Sequence, residues 1–158
     1  MEFAQALQDT ALARWIGESG SLWGYPTILF LHTLGLATLA GLNAGIDLRI
    51  LGLAPALPLS PMVRLFPTMW AAFVVAAASG TALLIADATT KLAQPIFWAK
   101  LLFVALAVVN MQMIRTRVFN DPMLDQRPLG GNARTLAITS LVFWIAATIA
   151  GRLIAYIY

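Results

Sequence analysis

Cysteine is absent from the 158 residues, and histidine occurs once, at His32. Without a thiol the chain forms no disulfide, carries no iron–sulfur cluster and offers no thiolate to zinc. Charge is scarce as well. Only 11% of residues are charged and 60% are hydrophobic, against about 25% and about 45–50% in an ordinary soluble domain. That balance excludes a conventional soluble enzyme. No Ser/His/Asp set, paired carboxylate site, P-loop or dinucleotide fingerprint occurs, so no catalytic residue is nominated and the chain reads as non-enzymatic. The pI near 9.8 would suit nucleic acid, but ten basic and seven acidic residues leave only +3. The basic residues are scattered around apolar segments, which is the pattern of membrane topology and not of a nucleic-acid surface.

What is present is apolar sequence gathered into four stretches, each about the 20 residues that cross a hydrocarbon core. This predicts an all-α, polytopic membrane protein. A four-transmembrane-helix bundle occupies residues 21–158, with spans at about 22–45, 67–87, 95–114 and 134–157. Residues 1–20 lack the basic start and apolar run of a secretory signal. Phe3, Leu7, Ala11 and Trp15 recur at i+4, which predicts a short amphipathic helix lying in the membrane interface with Trp15 at headgroup level. Between the first two spans, GIDLRILGLAPALPLSPMVR and Pro67 hold four prolines, so the middle of this connection is not one helix. RTRVFNDPMLDQRPLGGN reads as the one water-exposed loop.

Orientation follows from lysine and arginine. One side has Arg14, Lys91, Lys100 and Arg152; the other has Arg49, Arg64, Arg115, Arg117, Arg127 and Arg134. Lys100 and Arg152 fall inside helices, so the loop charges favour the second side as cytoplasmic and place both termini outside. Small residues at i+4 suggest how the helices pack: Thr33, Ala37, Gly41 and Gly45; Ala72, Ala76 and Gly80; Ala147, Gly151 and Ala155.

Ionisable groups at membrane depth are costly and each needs a partner. Asp87, Lys100 and Arg152 lie at matching depths and predict an ion-paired clasp joining three helix ends. Asp47 is expected to bond one of Arg49, Arg115 and Arg117 at the opposite end. Asn43, Asn110 and Gln112 are expected to hydrogen-bond across helices. Counted from Leu22, His32 falls roughly 15 Å deep, among alanines of the other spans. Two readings stand there: His32 bonded to Ser79 or to a backbone carbonyl in tight packing, or His32 as axial ligand of a five-coordinate haem, of a chlorophyll-type pigment, or of a cofactor shared with a partner subunit. Met111 and Met113 cannot close on one Cu(I), because residues at i and i+2 point about 200° apart on a helix.

The runs LWGYPTILFLHTLGLATLAGLNAGIDLRILGL, LFPTMWAAFVVAAASGTALLIADA and QPIFWAKLLFVALAVVN, with the ending GRLIAYIY, resemble a family of four-helix bacterial inner-membrane proteins designated a domain of unknown function. The chain is more distantly similar to copper-resistance D-type membrane proteins. Matching positions are His32, Asp47, Arg49, Gly80, Lys100, Asn110 and Arg152. A second histidine that the family often carries after the asparagine of the third helix is Arg115 here. The resemblance implies the architecture and no established activity. The resulting expectation is an accessory subunit of a larger electron-transfer or photosynthetic membrane complex, in contact with the lipid bilayer and with other membrane subunits or further copies of itself. The alternatives are a haem or pigment protein built on His32 and, more weakly, a small transporter or copper-handling protein.

Overall fold

The computed structural model describes residues 2–126, 128–154 and 156. Arg127, Ala155, Ile157 and Tyr158, which enter the charge count, the third small-residue stripe and the end of the last span, lie outside the described residues. The described chain is helical throughout its ordered elements: α1 (Glu2–Gln8), α2 (Ala11–Glu18), α3 (Tyr25–Ile50), a 3-10 turn (Ser60–Arg64), α4 (Leu65–Ala86), α5 (Ala88–Ala93), α6 (Pro95–Arg117) and α7 (Gly131–Leu153). Four of these are long and apolar enough to cross a membrane: α3, α4 with the 3-10 turn before it, α6 and α7. The chain is a multi-pass helical membrane bundle.

Local chemistry sets the boundaries. Gly24 precedes α3 and Pro26 sits in its first turn, where a missing N–H costs nothing. At the far end Gly52 takes φ +105°, and the N–H groups of Gly52 and Leu53 bond the carbonyls of Arg49 and Leu48 at 3.1 and 2.9 Å. This is a Schellman ending, which satisfies carbonyls that the helix itself leaves open. Pro95 opens α6, and the residue before it, Gln94, is extended as a pre-proline residue must be, so α5 and α6 cannot merge. The first span therefore runs to Ile50 and the third to Arg117, both further than the apolar pattern suggested. The last span starts at Gly131, three residues earlier than expected.

The N-terminal segment is two helices instead of one. Thr10 caps α2, accepting from the Ala13 N–H at 3.3 Å, and this cap breaks the helix after Gln8. The break divides the expected stripe. Phe3 and Trp15 remain exposed, and the buried residues are Ala4, Ala13 and Ile16, packed toward α4 and α5. Gln8 joins this layer by accepting from the Thr89 hydroxyl at 2.7 Å.

Helix packing follows α4–α3–α7–α6, with the greatest contact between α3 and α4 and between α6 and α7. The core is richest toward the end away from α1, where Leu39, Ile46, Phe66, Met69, Met111 and Trp144 are buried. Arg115 lies over the Phe66 ring at 5.8 Å, and Phe66 meets Phe119 edge to face. Close approach of α3 to α4 depends on Gly35: a Cβ there would stand 2.9 Å from the Ala72 carbonyl oxygen and from the Ala76 nitrogen. Ala72 and Ala76 are buried as expected. The stripe of Thr33, Ala37, Gly41 and Gly45 is not part of this contact. All four are exposed and a Cβ on Gly41 or Gly45 would meet nothing within 4 Å. Gly35 lies on the buried side of the turn, so the stripe on the other side faces outward.

At the loop end Asp125 ties the two long connections together. Its carboxylate accepts from the N–H groups of Leu59 and Ser60 at 2.7 and 3.0 Å, and from the Ser60 hydroxyl. The Ser60 hydroxyl, followed by the Leu59 N–H, holds this carboxyl below the usual aspartate range.

Two predictions follow from these contacts. Gly35→Ala will destabilise the bundle by about 1–3 kcal/mol through overpacking against backbone, whereas Gly41→Ala and Gly45→Ala will be neutral or stabilising by about 0.5–1 kcal/mol, measured by thermal unfolding in detergent. Because folding lowers the Asp125 pKa, its tie contributes above the unfolded-state value and is lost as pH falls through the folded value. Acidification will therefore open the 51–64 connection to protease in the wild type, and Asp125→Asn will show that susceptibility already at neutral pH.

Candidate functional site

The one histidine is fixed by its surroundings. Because Leu22–Gly24 are not helical, His32 is only the eighth residue of α3, about 10 Å from the start of the helix instead of the roughly 15 Å counted from Leu22. Its Nδ1 lies 2.8 Å from the carbonyl oxygen of Ala76 on α4. A carbonyl only accepts, so Nδ1 carries the proton and Nε2 the lone pair. Ser79 Oγ is 3.5 Å from Nδ1 and itself donates to the Val75 carbonyl at 2.6 Å. Of the two partners expected in a packed site, the carbonyl is the principal one.

Nε2 faces a residue that sequence reasoning assigned elsewhere: Lys100 Nζ on α6, at 3.5 Å. The ammonium donates and the imidazole lone pair accepts. Two glycines make the pair fit. A Cβ at Gly80 would come 2.8 Å from His32 Cε1, and one at Gly151 would come 3.4 Å from Lys100 Cε. Gly80 on α4 and Gly151 on α7 are thus notches for these side chains. The site joins α3, α4, α6 and α7 near one end of the bundle.

The expected clasp of Asp87, Lys100 and Arg152 does not form. Asp87 ends α4 and starts α5, so Lys91 falls one turn beyond it and takes the ion pair at 3.2 Å. Lys100 turns inward to His32, and Arg152 lies over the Tyr156 ring at 5.6 Å. Matching depth along three helices gave no information on their facing, which is what decides the partners.

Asp47 makes no arginine contact either. It is fully buried on the core side of α3, where Asn43 one turn earlier donates to Oδ2 at 2.6 Å. The same amide donates to Ser140 Oγ on α7 at 2.6 Å, and Ser140 also contacts the carboxyl. Arg49, two residues on, points about 200° away and donates to the carbonyls of Leu57 and Pro55 at 2.5 and 3.1 Å. Arg115 is occupied by Phe66. Among the expected interhelical amides, Asn43 bridges to α7. Asn110 is buried with Oδ1 unpartnered, and Gln112 is exposed. Met111 is fully buried and Met113 half-buried, consistent with thioethers on different faces. Ser140 is a residue that sequence reasoning missed; a lone serine in an apolar span, nine residues into α7, was the available signal.

Among the described residues no cluster of three or more His, Cys, Asp or Glu could hold a metal ion. As an axial ligand His32 is poorly placed: Nε2, the nitrogen a haem iron or chlorin magnesium would need, is directed at Lys100, and Gly80 closes the ring edge. A cleft of about 670 Å³ between the end of α6 and the start of α7, lined by Arg117, Asp121 and Asn132 among others, lies at the other end of the bundle from this pair. No family model matches the chain, and neither a curated protein nor a solved structure matches it.

Gly80→Ala will destabilise the bundle by about 0.5–2 kcal/mol, the range of one interhelical hydrogen bond in a membrane, because the new methyl displaces the imidazole. His32→Ala will cost a similar amount. In the double variant the clash has no target, so the losses will not add; additive losses in reversible unfolding would show that Gly80 acts independently of His32.

Proposed function

We propose that this protein is a non-enzymatic integral membrane subunit that associates laterally, through α3, with a transmembrane helix of a larger complex. The observation that carries the reading is the outward position of Thr33, Ala37, Gly41 and Gly45. Glycine inside a helix is costly relative to alanine, and Gly41 and Gly45 return nothing to this chain's own packing. A row of small residues at i+4 is the surface on which two helices approach closely in lipid, where van der Waals contact replaces the hydrophobic drive. A second copy of the chain is the other occupant that the same face accepts.

The remaining exposed side chains of the spans, such as Phe30, Val74, Leu102 and Ile145, are large and apolar, as lipid contact requires. The excess of arginine at the loop end, with Arg49, Arg64, Arg115, Arg117 and Arg134, supports a cytoplasmic assignment for that end in a bacterial inner membrane, with both termini on the opposite side. An electron-transfer or photosynthetic assembly suits a partner-dependent bundle of this size. Axial ligation of haem or a chlorophyll-type pigment by His32 is the second reading, and it requires Lys100 to leave Nε2.

Purification from native membranes tests the first reading. Gly41→Leu together with Gly45→Leu will abolish co-purification of a stoichiometric membrane partner while leaving the thermal stability of the isolated bundle unchanged or raised. Retention of the partner by this variant would overturn the assignment of the face. The absorption spectrum of the same preparation addresses the second reading: a visible band lost in His32→Ala would establish ligation, and a colourless wild type is the expected result.

A further inference from the structure

The cleft where α6 ends and α7 begins belongs neither to the lateral face of α3 nor to the His32–Lys100 pair. Its volume of about 670 Å³ is in the range of about 300–1,000 Å³ that ligand pockets occupy. Two kinds of surface meet in it. Val118 and Leu124, both buried, and Leu129, half-buried, make part of the lining apolar. Arg117, the last residue of α6, and Asn132, the second of α7, make another part polar.

Arg117 differs from the other arginines of this end in what it does. Arg49 holds loop carbonyls and Arg115 lies over Phe66, whereas among the described residues Arg117 has no ion-pair partner. The acids nearby are engaged: Asp121 Oδ1 accepts from the Met123 N–H at 3.0 Å, and Asp125 from Leu59 and Ser60. The cleft also reaches toward the hydrocarbon on both helices. Arg117 follows the exposed Leu106 and the half-buried Met113 at intervals of seven and four residues, which places all three on one side of α6. On α7, Thr135 in the lining and Ile138, which is 54% exposed, are three residues apart and therefore adjacent on the helix surface. A small soluble anion would use only the polar part of this surface. A molecule with an anionic head and apolar tails matches all of it.

We propose that the cleft seats one anionic phospholipid of the adjacent leaflet, with its phosphate at Arg117 and its acyl chains along the seam of α6 and α7. A guanidinium meets a phosphate through two parallel N–H donors, and basic pockets between spans are where anionic headgroups are held. The amide end of α7, which has no side-chain cap at Gly130, adds positive potential to the same cleft. Asp121 in the lining repels further negative charge, so a phosphodiester suits the cleft better than a phosphomonoester, which carries more charge. The bound lipid joins the end of one span to the start of the next, across the connection between them.

The test uses the full chain, delipidated in detergent and titrated with dioleoyl phosphatidylglycerol or dioleoyl phosphatidylcholine, with bound lipid counted by native mass spectrometry. The expected result is a single phosphatidylglycerol per chain, held about fivefold or more tightly than phosphatidylcholine. Arg117→Gln will remove that preference. Arg134→Gln removes an equal charge from an exposed residue outside the lining and will retain it. Asn132→Trp fills the cleft with an indole, keeps Arg117, and will exclude the lipid. The proposal is overturned if the wild type binds no phosphatidylglycerol or binds the two lipids equally, if the two arginine variants lose affinity alike, or if Asn132→Trp binds as the wild type does. Glycerol 3-phosphate separates the two sources of the head: failure to displace the lipid at equimolar concentration supports the phospholipid, and displacement overturns it in favour of a soluble phosphate ester. Where one variant does not fold, the lipid preference of the wild type and the remaining variants decide by the same measurement. No readout involves a protein partner, so the lateral-association reading stands or falls separately.

Discussion

In hydrocarbon, a polar side chain has no water to fall back on, and this constraint organises the bundle. The His32 imidazole donates to the Ala76 carbonyl, which fixes the rotation of α3 against α4. The Asn43 amide donates to Ser140, which fixes α3 against α7. With α3 tied on two sides at two depths, the apolar core can be built from side chains that interdigitate without directional preference. Leu39, Ile46, Met69 and Met111 fill that space. Apolar contacts supply bulk cohesion, but the polar bonds choose which of several similar helix rotations is adopted.

Glycine has opposite roles on the two sides of α3 and its neighbours. Gly35 lets backbone meet backbone, while Gly80 and Gly151 admit the ends of long polar side chains. Gly41 and Gly45 touch nothing within the chain. Small residues at helical spacing thus describe a capacity for close approach, and only the three-dimensional facing says whether the chain uses it internally. The Lys100 side chain gives a further example of facing. It runs past Gly151 to reach His32, and this route draws a cation away from the headgroup region into the space between helices.

Much of the architecture was legible in the sequence, because bilayer thickness and apolar run length are coupled by a simple rise per residue. Four spans, a proline-broken first connection and a polar third one follow directly. Helix ends were less legible. Leu22–Gly24 are apolar or small yet lie in a turn, so His32 is nearer the surface of the bundle than its distance from Leu22 implies. The partners of the charges in and beside the spans were not legible at all. Asp87, Lys100 and Arg152 share a depth, and Asp47 and Arg49 share a neighbourhood, but a helix turns about 100° per residue. Depth without azimuth cannot pair side chains. The Thr10 cap was readable in principle: a threonine three residues before the N–H it accepts from is an ordinary helix start, and it outweighed the continuous stripe from Phe3 to Trp15.

The tie between Asp125 and residues 59 and 60 bears on the order in which the chain assembles. One partner belongs to the connection between the first two spans and the other to the connection between the last two. The α3–α4 hairpin can be complete and inserted while the tie is still open, since Asp125 is synthesised only after the third span. Its closure joins the connection of the first hairpin to that of the second from outside the hydrocarbon. The loop end thus holds a fastening that cannot form until the third span has been made, and that answers to the pH of the water beside it and not to the lipid.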